Sequence, residues 1–131
     1  MALPLLAISP WLVPAVWLGW AFLLEPLNYC AGSPSWLADL ARGDASKLSA
    51  LLVGGAVCGV LWEFWNYWAT ARWTYTVPYL GSVKLFEMPI LGYLGFPPFA
   101  LECYAIYHAL RGLFATGTSA AGTGALGEPL I

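Results

Sequence analysis

Charge is what this sequence has least of. Its 131 residues include five Lys or Arg, seven Asp or Glu and one His, a charged fraction of 9%. A water-soluble domain carries about 25%. So few charges cannot coat a wet surface without leaving large apolar patches. The net charge is -2 and no basic cluster exists, which removes the electrostatic footprint of nucleic-acid binding. Cysteine is also sparse. Cys30, Cys58 and Cys103 are odd in number and far apart, so they predict neither a disulfide nor a metal site. Cys58 and Cys103 read as small core residues of apolar helices. With a single histidine there is no His/Cys cluster for zinc. No Lys or Arg precedes Arg42, so the positive n-region of a secretory signal is lacking and the first apolar run reads as a retained helix. There is no internal repeat, Ser-His-Asp set, phosphate loop, haem motif or dinucleotide fingerprint.

What remains is apolar and aromatic. The hydrophobic fraction is 60% and the mean hydropathy +0.71. Residues 2–24 run without charge until Glu25, long enough at about 1.5 Å per residue to cross a hydrocarbon core of about 30 Å. Pro4, Pro10 and Pro14 make the first half irregular, and a clean helix is expected from Pro10 or Trp11. Glu25-Pro26 ends the run. Ser35 can cap a short helix from Trp36 to Arg42, and Gly43 can close it, in what reads as the headgroup layer. Residues 48–68 form a second spanning helix. Gly55, Gly59 and Glu63 stand four apart, and Asn66 and Thr70 continue that face. Glycine at this spacing lets another helix approach closely, and the same face then presents a carboxylate and an amide. Trp62, Trp65 and Trp68 fit an interfacial belt at the end of this helix.

Residues 69–84 alternate Trp73, Tyr75, Val77 and Tyr79 with Thr74, Thr76 and Pro78, which predicts an extended, half-buried segment. Phe86–Phe96 is too short to cross, Pro97-Pro98 follows, and Phe99–Phe114 is a further helical stretch. One helix kinked at the prolines would explain this. A re-entrant half-helix followed by a short spanning helix is favoured, because Gly92, Gly95 and two prolines suit a break. Residues 115–131 are rich in Gly, Ala, Thr and Ser and read as a flexible tail after a single transmembrane domain over 1–114. The expected fold is an all-α integral membrane protein with three transmembrane helices plus a re-entrant or Pro-broken half-helix. Arg42, Lys47 and Arg111 place the C-terminal side inside.

Charges within such segments need a reason. Glu102 follows the proline break, where a helix N-terminus favours a carboxylate, or it faces Glu63 as a proton carrier or ligand group. Glu87 precedes Met88-Pro89, with Pro89 as a first helical residue. It can pair with Arg72 or Lys84, or stand at the mouth of a pocket lined by Trp73, Tyr75 and Phe86. Tyr104, His108 and Arg111 share a helix face from which Glu102 points away.

The segments Trp62-Glu63-Phe64-Trp65-Asn66-Tyr67-Trp68, Arg72-Trp73-Thr74-Tyr75 and Phe86-Glu87-Met88-Pro89 through Gly92-Tyr93-Leu94-Gly95-Phe96-Pro97-Pro98-Phe99-Ala100-Leu101-Glu102 resemble a family of bacterial polytopic membrane proteins without an assigned activity. The resemblance covers about residues 25–110 and implies a multi-pass protein of the bacterial inner membrane. A weaker similarity links the chain to the small membrane enzymes of carotenoid synthesis, which place carboxylates beside prolines at helix ends. Here Glu87 precedes its proline, and the paired acidic residues after proline are missing.

Two functions stay open. The favoured one is a small non-catalytic subunit that packs on membrane lipids, on partner membrane proteins or on a second copy through Gly55 and Gly59. The alternative is a membrane-embedded enzyme or binder for a lipid or an isoprenoid/carotenoid-like substrate. It would use Glu63, Glu87 and Glu102 as acid-base groups and Trp62, Asn66, Arg72, Trp73, Tyr75, Tyr104 and His108 as contacts. No cofactor or metal is expected, although a bound lipid or pigment suits the composition. The small size and the lack of a completed catalytic constellation favour the subunit.

Overall fold

A computed structural model describes residues 13–75 and 82–123. Helix α1 spans Val13–Cys30. Its apolar run does not stop at Glu25: the helix carries Glu25 and Pro26 within it and ends where Gly32 adopts φ +69°, a left-handed conformation that glycine takes without strain. Helix α2, Trp36–Ala41, is capped as its sequence predicts. The Ser35 hydroxyl accepts the Ala38 N–H at 3.0 Å, and Gly43 reverses the chain at φ +83°. Asp44 then accepts the Ser46 N–H at 2.9 Å and starts α3, Ser46–Trp68.

The segment after α3 differs from expectation. No re-entrant half-helix forms over 86–96. Strands β1, Lys84–Leu85, and β2, Met88–Pro89, pair antiparallel in a two-residue hairpin, followed by a single turn α4, Ile90–Tyr93. Phe86 takes φ +58° at the hairpin tip, costly for an aromatic residue, and lies near the Tyr67 and Phe64 rings at centroid distances of 5.4 and 6.3 Å. Nor does Pro97-Pro98 break a helix. Both prolines sit in the first turn of α5, Phe96–Thr123, where a backbone N–H would have no intrahelical acceptor and its loss is cheap. Gly95 O accepts the Phe99 N–H at 3.1 Å as the helix begins. Helix α5 continues through Thr123, past the expected end at Phe114. The proposed helix start at Pro10 or Trp11, the alternation at Val77 and Tyr79, and tail residues 124–131 lie outside the described residues.

The long helix α5 packs on both α1 and α3. Asn28 of α1 donates to Ala105 O at 2.9 Å, and Ser33 lies beside Gly112 one helical stretch further on, so α1 and α5 run the same way. Helix α3 runs opposite. Near its C-terminal end Gly59 meets the Phe96 ring and Gly55 meets Phe96 O and Pro97, while at its start Lys47 stands over Tyr104. A Cβ on Gly55 would lie 2.6 Å from Phe96 O, and one on Gly59 would lie 2.8 Å from the Phe96 ring. The close approach expected of these glycines is therefore made within the chain, by the start of α5.

The distribution of side chains is inverted relative to a protein in water. The helix interfaces bury Glu25, Asn28, Glu63, Asn66 and Glu102 together with small residues such as Ala21, Gly55, Gly59 and Ala105. Large apolar groups face out: Phe22 is 70% exposed, Trp68 70% and Phe114 73%. Cys58 and Cys103 also face outward, because the small-residue seams are occupied by glycine and alanine. They are not the core residues expected of them. Among the described residues α3 alone is long and apolar enough to cross a membrane. Of the three expected spans the described residues thus support one by length and composition: residues 2–12 of the first lie outside them, and Glu102, His108 and Arg111 punctuate α5.

Candidate functional site

The i, i+4 spacing that puts Gly55, Gly59 and Glu63 on one face of α3 also places Glu63 beyond the start of α5. There it meets the hairpin and the loop after α3. Its side chain is fully buried. Oε1 accepts the backbone N–H of Glu87 at 2.8 Å. Oε2 accepts the Asn66 amide at 3.1 Å and the Tyr75 hydroxyl at 3.3 Å. Asn66, one turn on, clamps the loop by its backbone: it donates to Trp73 O at 3.0 Å and accepts Trp73 N–H at 2.7 Å. Trp62 donates to the Tyr75 oxygen at 3.3 Å. Glu87 itself turns away, toward Arg72 at 3.4 Å. One carboxylate thus ties together the loop at 73–75 and the hairpin at 84–89. Burial lifts the Tyr75 phenol above its ordinary value of 10.0, and the negative charge of Glu63 adds to the rise.

The residues expected to act together separate into two groups. Glu63, Asn66, Trp62 and Tyr75 share one network, joined by Trp73 through its backbone and by Glu87 through its N–H, with Arg72 reached through Glu87. Glu102, Tyr104 and His108 lie elsewhere. Glu102 is buried against α1 beside the Trp20 backbone. The His108 ring lies 4.3 Å from Tyr104 and 4.9 Å from Tyr107, centroid to centroid. Glu63, Glu87 and Glu102 do not converge on a common cavity: the first serves the hairpin, the second an ion pair and the third a helix interface.

A third buried carboxylate was overlooked in the sequence. Glu25 is 1% exposed. Its Oε1 accepts the Ser35 hydroxyl at 2.7 Å and the Leu37 N–H at 3.1 Å, so it anchors the start of α2 to the end of α1. The signal was its spacing from Asn28, which puts both on the face of α1 that contacts α5. Reading Glu25 as a terminator hid it. On the exposed side of α2, Asp39 pairs with both Arg42 and Lys47, and the hydrogen bond from Lys47 holds its carboxyl below 3.8.

The grooves are apolar. One, of about 430 Å³, runs between α3 and α5 past Leu51, Gly54, Cys58, Phe99, Cys103 and Tyr107. Another, of about 510 Å³, continues along α5 past Tyr107, Leu110, Arg111 and Phe114. No carboxylate lines either groove. Among the described residues no group of three His, Cys, Asp or Glu side chains could hold a metal ion. Comparison with family models, curated proteins and solved structures found no match.

Proposed function

We propose that this chain is a small multi-pass membrane protein, lodged in the bacterial inner membrane, that works by packing rather than by catalysis, as a subunit of a membrane assembly. The observation that carries this reading is the inversion of the fold. Glu25, Glu63, Glu102, Asn28 and Asn66 are turned inward, while Trp65, Trp68, Phe22 and Phe114 are presented outward. In water that arrangement leaves an aggregation-prone surface. In lipid it is favourable, because apolar faces are solvated and polar groups must find partners inside.

Helix α3 is long and apolar enough to span on its own. In this reading α1 and α5 accompany it, with their interior carboxylates shielded by the seam, and Trp62, Trp65, Trp68 and Trp73 sit at one interface. A carboxylate fixed by three hydrogen bonds is poorly placed to bind or protonate a substrate, which weighs against the lipid-modifying alternative.

The test is gentle solubilisation followed by chemical crosslinking and native mass spectrometry. A discrete assembly with another membrane protein, or with further copies of this chain, is expected. Recovery as a lone monomer at native expression level would overturn the subunit role. Recovery in the aqueous fraction without detergent would overturn membrane residence itself.

A further inference from the structure

We infer that the groove between α3 and α5 holds one anionic phospholipid, with an acyl chain against Gly54, Cys58 and Cys103 and the headgroup phosphate at Arg111. The inference rests on the membrane reading above and adds a specific ligand to it. The groove is open because small residues line it: a Cβ on Gly54 would meet nothing within 4 Å, in contrast to Gly55 beside it. Its apolar lining runs to Tyr104 and Tyr107, and Tyr107 is shared with the second groove, where Arg111 forms the wall. The apolar track therefore passes a cation, Arg111, beside Phe114.

Arg111 has no carboxylate within ion-pair distance among the described residues. Lys47 stands 5.8 Å from the Tyr104 ring at the same end of the groove, although Asp39 already engages it. A guanidinium offers paired donors that match phosphate oxygens. Basic pockets between helices on the inner side of a membrane are suited to anionic headgroups. A zwitterionic lipid would fill the groove equally well but lose part of that attraction.

The experiment uses the full chain in mild detergent, titrated with phosphatidylglycerol or with phosphatidylcholine of the same acyl chains and read by native mass spectrometry. The wild type is expected to retain one phosphatidylglycerol about fivefold more strongly than phosphatidylcholine, the effect of one cation near the headgroup. Arg111→Gln should remove the preference and leave chain binding intact. Gly54→Leu should lower retention of both lipids by filling the groove. Equal retention of the two lipids by the wild type, or a preference that survives Arg111→Gln, would overturn the inference and leave the membrane reading standing. A dimer that covers the groove would also overturn it. A chain that stays in solution without detergent would sink both.

Discussion

Replacing Glu63 by alanine should destabilise the protein by about 2–4 kcal/mol, the cost of stripping a buried acceptor from its donors plus the packing lost with it. The carboxylate is fully buried and accepts three hydrogen bonds, from the Glu87 N–H, the Asn66 amide and the Tyr75 hydroxyl. The Asn66 amide still reaches Trp73 O, whereas the Tyr75 hydroxyl, whose oxygen still accepts from Trp62, loses the acceptor of its own proton. The Glu87 N–H keeps none among the described contacts, and an unsatisfied buried donor costs about 1–3 kcal/mol. Loss of the one methylene beyond Cβ adds about 0.8 kcal/mol. Glu63→Gln should cost less, about 1–2 kcal/mol, because its amide retains one acceptor but sets a second donor against either Asn66 or Glu87. Denaturant titration in detergent micelles, followed by tryptophan fluorescence, measures both. The fluorescence of Trp73 should change before the helices unfold, since the loop is released first. A Glu63→Ala variant within about 0.5 kcal/mol of wild type, the range of an inconsequential surface change, would refute the role assigned to this carboxylate.

Other substitutions grade the same contacts. Gly55→Ala should be more damaging than Gly59→Ala in thermal unfolding. The first sets a methyl against the backbone at Phe96 and Pro97, while the second meets a ring that can shift, at a cost of about 1–3 kcal/mol. Ser35→Ala removes both the α2 cap and a partner of buried Glu25, so it should exceed the roughly 1 kcal/mol of an ordinary lost cap, as read by the same unfolding assay. Tyr75 favours its neutral form in the folded state, so its contribution holds below pH 10 and is lost as pH rises through its raised value. Ultraviolet titration should show two late-ionising tyrosines, Tyr75 and Tyr93, of which Tyr75→Phe removes one.

Local signals in the sequence were legible where chemistry is local. Ser35 and Gly43 bracket α2 as capping rules require, and the run Gly55, Gly59, Glu63, Asn66 does form the inward face of α3. The pairing of Glu87 with Arg72 also follows from simple proximity of charge. Misreadings arose where a residue has two roles. Proline can break a helix or begin one, and Pro97-Pro98 begins α5 because Gly95 and Phe96 precede it at a chain reversal. Glu25 reads as the end of an apolar run until Ser35, ten residues later, is seen to return to it. The hairpin at 84–89 carries no alternating pattern long enough to announce itself. It exists because a distant carboxylate accepts the N–H of Glu87 and two aromatic rings lie beside Phe86.

The most direct measurement is the reactivity of the three native thiols, all free and all on the outer surface of the fold. In opened membranes, a charged maleimide reaches water-exposed thiols from either side. If lipid covers the helices, Cys30 at the end of α1 should label, while Cys58 and Cys103, set within α3 and α5, should label only after denaturation in SDS. Equal labelling of all three without denaturant would contradict the account.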